Sequence, residues 1–198
     1  MNAKTAYHHG ELRVALIEAA LNTIEHGGVQ SLSLRGLART VGVSPMAPYH
    51  HFADRADLLV AIAVEGFQRL QTSKERALSG AGGDPASGLV AGTVNYVEFM
   101  IDNPNLHRLM NDIQVAGRAA HPDLATAAAA PAESLLQLVE RLLSAHSSAY
   151  DASLAATSIW AFAHGIGTLA LSGQLEPAQA KKTARAGAKA LIRGWLAG

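Results

Sequence analysis

A stretch of the chain that has no carboxylate carries the side chains best suited to contact a phosphate backbone. Between Glu25 and Asp54 there is no aspartate or glutamate. Each carboxylate on a DNA-facing surface would repel phosphate and weaken counterion release, so their absence favours nucleic-acid binding. The side chains of the stretch that could carry positive charge are His26, Arg35, Arg39, His50 and His51. The alternative interpretation is an ordinary pair of solvated helices.

Two short predicted helices, separated by a three-residue break, position these side chains. Ser33 is a predicted N-cap of the first helix, in which apolar residues recur at helical spacing, and Gly42 ends it. Arg35 lies four residues before a second arginine, which places both on one face of that helix. Ser44 is placed to cap the next helix, with Pro45 at its favoured first position. This is the arrangement of a helix-turn-helix, whose second helix enters the DNA major groove.

Helical periodicity extends along nearly the whole chain, and no alternating run predicts a strand. The first helix is expected to end at Gly27 and Gly28, and the fourth begins at Asp54, with Asp57 resembling a capping box. A loop is predicted over residues 79–88, and residues 125–130 are an alanine-rich patch rather than a repeat. Later helices are predicted over residues 85–102, after Pro104, around residues 134–145, over residues 152–172 and from about Pro177. We therefore predict an all-α fold of about nine helices.

The overall composition limits the kind of surface and the kind of chemistry. The 198 residues contain 16 Lys+Arg and 16 Asp+Glu, so the formal net charge is zero and a DNA-binding surface must be local. The absence of cysteine excludes disulfides, thiolate metal sites and a cysteine nucleophile. No nucleophile elbow, zinc-binding histidine pair or phosphate-binding loop is present, and Gly165 and Gly167 fall short of a dinucleotide motif. Four scattered histidines, His107, His121, His146 and His164, would form a metal site only by coincidence. We expect no enzyme activity, no cofactor and no metal.

One long uncharged stretch requires a membrane test. Residues 152–175 contain no charged side chain and are long enough to span a bilayer. Thr157, Ser158 and His164 lie within the stretch and Pro177 follows it, so a helix buried on most sides is the better interpretation. The first ten residues lack the apolar run of a secretory signal. We therefore expect a cytoplasmic protein without a membrane span.

Residues 7–67 resemble the N-terminal domain of TetR-family (tetracycline-repressor-like) transcriptional regulators. The resemblance covers about a third of the chain and rests on several strings in the family's order and spacing. The strings are Tyr7-His8-His9-Gly10-Glu11-Leu12-Arg13, Ser31-Leu32-Ser33-Leu34-Arg35-Gly36-Leu37-Ala38, Gly42-Val43-Ser44-Pro45, Tyr49-His50-His51-Phe52 and Arg55-Ala56-Asp57-Leu58-Leu59.

The resemblance implies a helix-turn-helix DNA-binding domain over residues 1–53 and a ligand-binding and dimerisation domain over residues 54–198. Residues 44–51 would form the recognition helix, opened by Ser44, and Phe52 would belong to the core. Implied phosphate contacts are Ser33, Arg35, Tyr49, His50 and Arg55, and implied base-facing residues are Pro45, Met46 and Ala47. The implied function is a repressor that a small, mostly apolar ligand releases from a pseudo-palindromic operator. A helical ligand-binding or protein-interaction module without sequence-specific DNA binding is the alternative.

The base-facing residues cannot make bidentate hydrogen bonds to purines. We therefore expect readout through thymine methyls, through His50 and through Thr40 or Arg35 of the neighbouring helix, with DNA shape providing the remaining discrimination. Pro48, at a position where many relatives have leucine, removes one helical N–H and should distort the entry of the recognition helix. If His50 and His51 lie near phosphates, operator affinity should rise between about pH 7.5 and 6. Residues 7–9 are interpreted as a mobile, weakly basic arm.

The second half of the chain contains candidates for a ligand pocket. The string Trp160-Ala161-Phe162-Ala163-His164-Gly165 is similar to a Trp…His-Gly signature of one TetR subgroup. An indole and an imidazole would give a pocket wall an apolar body with polar handles. The candidate ligand-binding residues are Phe99, His107, Met110, Trp160 and His164. Plain core packing is the alternative for each of them.

The last two predicted helices are candidates for a homodimer interface. The helix over residues 152–172 has two apolar stripes, which need two partners: its own core and a second chain. The last helix has a face of small and apolar residues, namely Ala184, Ala188, Leu191, Ile192 and Trp195. With the family resemblance, these faces predict a four-helix dimer interface. A monomer that buries both stripes internally is the alternative.

Overall fold

The computed structural model describes residues 9–117 and 121–197, with side chains over residues 11–112 and 121–197. Within these ranges it contains eight α-helices, two short 3₁₀ turns and no strand. The all-α prediction is confirmed, and the number of helices is close to that expected. Of the predicted arm at residues 7–9, Tyr7 and His8 lie outside the described residues, and His9 is the first residue of a helix instead. The helices are α1 (His9–Gly27), α2 (Leu34–Val41), α3 (Arg55–Ser79), α4 (Pro85–Asp102), α5 (Pro104–Gly117), α6 (Pro122–Ala145), α7 (Ala152–Leu171) and α8 (Pro177–Ala197); the 3₁₀ turns are Val29–Ser31 and Ala47–His50.

The predicted caps fix the ends of the N-terminal helices. The Ser33 hydroxyl accepts the backbone N–H of Gly36 at 3.1 Å and begins α2. Gly42 ends it in the left-handed region at φ 79°, a conformation that favours glycine. The Asp54 carboxylate accepts the N–H of Asp57 at 2.9 Å, and the Asp57 carboxylate accepts the N–H of the residue before Asp54 at 2.9 Å. These reciprocal bonds set the start of α3 immediately after the helix-turn-helix segment.

Helix α6 begins earlier than predicted. The alanine-rich patch at residues 125–130 is part of one helix that runs from Pro122 to Ala145, with Pro131 inside it. Alanine has the highest intrinsic helix propensity, and Leu124 and Ala128 are buried in the core. Burial of this face therefore maintains the helix despite the internal proline.

One core cluster joins the N-terminal helices to the second half of the molecule. It includes Leu16 of α1, Phe52, Ile62 of α3, Leu106 of α5 and Leu124 of α6. Phe52 is 1% exposed, as expected of a core residue. Because this core is continuous, the helix-turn-helix segment is packed firmly onto the helices that follow it.

Two glycines set the packing of α7. A Cβ at Gly167 would lie 2.2 Å from the Sδ of Met100 on α4, and one at Gly187 of α8 would lie 2.1 Å from the Phe162 ring. Both large side chains thus occupy space that only glycine leaves free. These contacts bring α7 close to α4 and α8 and determine which side of α7 turns inward.

The predicted contact face of α8 turns inward instead of outward. Ala184, Ala188, Ile192 and Trp195 are at most 5% exposed, and Leu191 is half-buried. The small alanines allow α8 to pack closely against α4 and α7 of the same chain. This face therefore belongs to the subunit core, and the prediction that it forms the dimer interface is wrong.

Helix α7 has one buried and one exposed side. Ala155, Ile159 and Ala163 are buried, whereas Leu154 and Leu169 are 55% and 40% exposed. In the part of the chain that the structure describes, α7 is the one helix long and apolar enough to cross a membrane by length and composition. Its inward side packs against α4, α6 and α8, whereas the exposed apolar residues on the other side are not covered by any of the described residues.

Candidate DNA-binding segment and ligand cavity

The predicted recognition helix over residues 44–51 is a turn followed by the 3₁₀ turn Ala47–His50. Its hydrogen bonds span three residues: Ala47 N–H to Ser44 O at 3.0 Å, and Tyr49 N–H to Met46 O at 3.1 Å. Pro48 has no N–H to donate to Ser44 O, so an α-helical bond at this place cannot form. The distortion expected from Pro48 is present, and it extends through the whole segment.

The segment presents its side chains to solvent. Met46 is 63% and Tyr49 40% exposed, and Ser44, Pro45 and His50 are also exposed. Ala47 is half-buried and Pro48 is buried, which anchors the turn against the core. On α2, the predicted contact residues Ser33 and Arg35 are exposed beside it. The structure therefore brings the predicted base-facing and phosphate-facing residues to one accessible region.

Arg55 has a structural partner of its own. Its Nε donates to the carbonyl oxygen of Leu32 at 3.1 Å, and its Nη2 donates to that of Val29 at 2.6 Å. These bonds tie the first turn of α3 to the connection between α1 and α2. The guanidinium thus holds the start of α3 to this connection, a structural role that the motif did not indicate.

A cavity of about 550 Å³ lies between α3, α4, α5, α6 and α7, with a mostly apolar lining. Three of the predicted ligand-binding residues line it, His107, Met110 and Trp160. Phe99 is not part of the lining and packs in the core cluster shared with α1 and α5. His164 is also not part of the lining, but it contacts Tyr96, which is. A cavity of this size and polarity suits a small organic molecule.

Tyr96 joins the predicted histidines into one polar cluster. Its hydroxyl lies 3.3 Å from Nε2 of His107 and 3.1 Å from Nδ1 of His164. The Trp160 ring lies 6.1 Å from the His164 ring. Burial, with a smaller contribution from His164, lowers the pKa of His107 to about 4, so this imidazole is neutral near pH 7. Burial raises the pKa of Tyr96, partly offset by a hydrogen bond with Trp160.

Two more polar groups in the cavity wall were missed by the sequence analysis. Lys74 on α3 is 8% exposed, and its Nζ donates to the carbonyl oxygen of Pro131 at 3.1 Å and to the Ser134 hydroxyl. Burial lowers the pKa of Lys74 to about 8. Asn95 on α4 donates its amide to Ser73, while its buried Oδ1 has no hydrogen-bond partner among the described residues. Within those residues, no group of three His, Asp or Glu side chains could hold a metal ion.

Comparison with known proteins agrees with this geometry. Residues 16–62 match the model of bacterial regulatory proteins of the tetR family, and residues 89–193 match the tetracyclin repressor-like C-terminal domain. The second match covers more than half of the chain. The HTH-type transcriptional regulator BetI of Rhizobium meliloti (strain 1021) is 41% identical over 49 residues. That similarity spans 25% of this chain and about a quarter (24%) of the length of BetI.

Solved structures match over nearly the full length. A protein of unknown function from Rhodococcus sp. RHA1 is 36% identical, with a TM-score of 0.88 over 98% of this chain and 100% of that one. A TetR-family transcriptional regulator from Rhodococcus sp. is 19% identical, with a TM-score of 0.75 over 92% of this chain and 99% of that one, which shows a shared fold. Family models thus match both the N-terminal region and the larger C-terminal region, so the protein belongs to the TetR family of transcriptional regulators. This family is a class of DNA-binding proteins and not of enzymes.

Proposed function

We propose that the protein is a dimeric repressor that binds a pseudo-palindromic operator and is released from it by a small, mostly apolar ligand. The observation that carries the proposal is the exposed segment around Met46 and Tyr49, which lies in a stretch of sequence without a carboxylate. An exposed methionine and tyrosine beside Arg35 are unusual on a solvated surface but suit a groove with phosphates at its edge.

The proposed contacts follow from exposure and chemistry. Ser33, Arg35, Tyr49 and His50 would bind phosphates, and the residues from Ser44 to Ala47 would meet the base edges. Since proline, methionine and alanine offer no bidentate donors, sequence discrimination would rest on thymine methyls and on the shape of the groove. Arg55 would contribute by holding α3 against the connection between α1 and α2.

Dimerisation would use the exposed side of α7 together with the outer side of α8. Ala161 and Gly165 lie between the exposed Leu154 and Leu169 on α7, and no charged side chain occurs on that helix. Two copies of this side could pack closely because its central residues are small. Pairing is also needed to place two recognition segments about one helical turn of DNA apart. We propose that the dimer, not a membrane, covers the uncharged helix, and that the protein acts in the cytoplasm.

Helix α3 would connect ligand binding to DNA binding. It begins at Arg55, beside the recognition segment, and its residues Phe67, Leu70 and Lys74 line the cavity. A ligand that favours one position of this helix would change the separation of the two heads in the dimer. Thermodynamic linkage then requires operator DNA to weaken ligand binding by the same factor.

We also propose a domain boundary and a subgroup for this chain. We place the boundary between the DNA-binding and ligand-binding parts at residues 53 and 54, where the Asp54 cap begins α3. We assign the chain to the subgroup with a Trp…His-Gly motif, because Trp160 lines the cavity and His164 bonds to Tyr96 in its wall.

The decisive experiment selects bound sites from random DNA duplexes and measures affinity for the selected site by fluorescence anisotropy at several salt concentrations. We expect a two-fold symmetric site, and affinity that falls steeply with salt because phosphate contacts release counterions. The absence of any preferred site, combined with ligand binding in a thermal-shift assay, would favour the alternative of a helical ligand-binding module without sequence-specific DNA binding.

A further inference from the structure

Lys74 is a buried cation in the wall of the cavity. It is 8% exposed, and among the other buried polar side chains of the described ranges, Thr93 is uncharged and His107 is neutral near pH 7. Lys74 therefore carries the positive charge of this wall. A charge taken out of water needs a compensating partner, because desolvation of an ion costs free energy.

The hydrogen-bond partners of Lys74 are uncharged, and they use only some of its N–H donors. An ammonium group has three N–H donors, and two are used by the Pro131 carbonyl and the Ser134 hydroxyl. In the described part of the chain no carboxylate lies within 4.0 Å of Nζ. Glu75 on the same helix is exposed and accepts a bond from Gln71. One N–H is thus left for a molecule in the cavity, and the charge is offset only by the Coulombic attraction of Glu75, which lies beyond ion-pair distance.

The surroundings of Lys74 suit the body of an apolar molecule. Phe67 and Leu70 precede it along the cavity face of α3, Leu135 lies on α6, and Met110 and Trp160 close other parts of the wall. The charged side chain of Glu133 also lines the cavity but is exposed at its rim. Among the side chains that the structure describes, the cavity therefore combines an apolar interior with a single buried positive group, Lys74.

We propose that this cavity binds an apolar molecule with one carboxylate, which places its carboxylate oxygens on the Nζ of Lys74. The proposal rests on the ligand-binding function proposed above and names the chemical class of the ligand. The hydrocarbon body lies along Leu70 and reaches toward Met110 and Trp160. Asn95 Oδ1 accepts hydrogen bonds and cannot bind a carboxylate, so it serves a hydroxyl or N–H group elsewhere on the ligand.

The same geometry disfavours a ligand that carries a positive charge. An apolar amine would bring a second cation next to the buried ammonium, and a neutral amide would bond to it without neutralising it. A charge-assisted hydrogen bond is stronger than a neutral one, and the difference corresponds to about a tenfold change in affinity. The expected order of affinity is carboxylate, then amide, then amine.

Isothermal titration calorimetry on the full chain without DNA tests this order with two matched series of probes. One is 2-naphthylacetate, 2-naphthylacetamide and 2-(2-naphthyl)ethylamine, and the other is decanoate, decanamide and decylamine. We expect the carboxylate to bind about tenfold or more tightly than its amide in at least one series. Carboxylates that do not bind, or that bind no better than their amides, overturn the proposal.

The variant Lys74→Met removes the charge and keeps the length of the side chain. We expect it to reduce the preference for carboxylate over amide to less than about threefold, because the carboxylate loses a charge-assisted hydrogen bond whereas the amide loses only a neutral one. The matched control is Arg76→Met, which removes an exposed positive charge from the same helix outside the cavity lining and should retain the full preference. A Lys74→Met protein that still prefers the carboxylate contradicts the assignment.

A second measurement needs no variant. At pH 8, near the pKa of Lys74, a bound carboxylate should draw up to about half a proton onto the amine. Calorimetry in two buffers of different ionisation enthalpy measures this uptake. Glu75, Glu133 and His107 also face this region, so the amide probe supplies the background. Equal uptake for carboxylate and amide counts against the proposal.

Failure of this inference can be told apart from failure of the repressor function. The calorimetry uses no DNA, so a protein that binds no operator can still show the carboxylate preference. Conversely, a protein that binds its selected operator but prefers amides keeps the repressor function and loses the assigned ligand class.

Discussion

The backbone N–H of Leu106, in the first turn of α5, donates to the Glu25 carboxylate near the end of α1 at 2.9 Å. The Asn105 side chain adds a bond to the backbone oxygen of Glu25 at 3.2 Å. The first N–H groups of a helix have no partner within it, so Glu25 caps α5 from another helix. Since α5 carries His107 and Met110 into the cavity wall, this cap joins the N-terminal helices directly to the ligand site.

Replacing Glu25 with alanine should destabilise the protein by about 1 kcal/mol, the usual loss when a helix cap is removed. Urea unfolding followed by circular dichroism measures the change. The control is Glu140→Ala, at an exposed position of α6, which should change the free energy of unfolding by less than about 0.5 kcal/mol. Equal effects of the two substitutions would mean that the cap contributes nothing to stability.

Replacing Arg35 with alanine should weaken binding to all DNA sequences by a similar factor and lower the salt dependence by about one counterion. The reason is that a phosphate contact carries charge but no base information. Fluorescence anisotropy at four or more salt concentrations gives the slope. Arg141→Ala, at an exposed position of α6, is the control and should leave the slope unchanged; an unchanged slope for Arg35→Ala itself would remove Arg35 from the contact surface.

Replacing Ala161 with glutamate should separate the dimer while the subunit stays folded. Ala161 is exposed on the side of α7 that the subunit leaves uncovered, so each copy would bring a carboxylate into the interface. We expect the dissociation constant to rise by at least tenfold, because the interface buries a charge without a partner. Sedimentation velocity at micromolar concentration measures the change, with Gln137→Glu on the exposed side of α6 as control. A dimer that tolerates Ala161→Glu would place the interface elsewhere.

His107 should make the folded protein less stable as the pH falls. Its pKa is lowered to about 4 in the fold, against about 6.5 in an unfolded chain, so the unfolded state binds more protons between these values. Stability contributed by the neutral imidazole is therefore complete above pH 6.5 and is lost as the pH falls toward 4, by up to about 3 kcal/mol. Carboxylates also titrate in this range, so the test is a difference between proteins.

The comparison uses the free energy of unfolding of the wild type and of His107→Gln from pH 7 to pH 4. The His107→Gln protein should lose clearly less stability over this range than the wild type. His146→Gln, at an exposed position, is the control and should follow the wild-type curve. Parallel curves for the wild type and His107→Gln would contradict the burial argument.

Helix boundaries were predictable where side chains make local bonds. The caps at Ser33 and Asp54 lie where the sequence pattern predicts them, and α4 has the predicted bounds Pro85–Asp102. The α8 face was misassigned because a stripe of small residues indicates close packing without indicating the partner. The partners of that stripe are α4 and α7 of the same subunit, which no local pattern in α8 identifies.

The cavity was predictable only in part. His107, Met110 and Trp160 were found as large or polar groups on apolar helices, but Lys74 and Tyr96 were not. A signal for Lys74 did exist: it lies seven residues after Phe67 and four after Leu70, so it continues an apolar row on α3. Asn95 offers no such signal, since the lack of a partner for its Oδ1 among the described residues depends on tertiary packing and not on a local pattern.

The length of α3 determines how far one of its ends moves when the helix tilts. Its 25 residues run without interruption from Arg55 to Ser79, and an α-helix of that size measures roughly 37 Å. Arg55 lies roughly 28 Å from Lys74 along this helix, so a tilt of about 7° around Lys74 displaces the Arg55 end by roughly 3.4 Å. That displacement is close to the spacing of about 3.4 Å between successive base pairs. A tilt of a few degrees around Lys74 would therefore be enough to move a recognition segment by a distance comparable to one base pair.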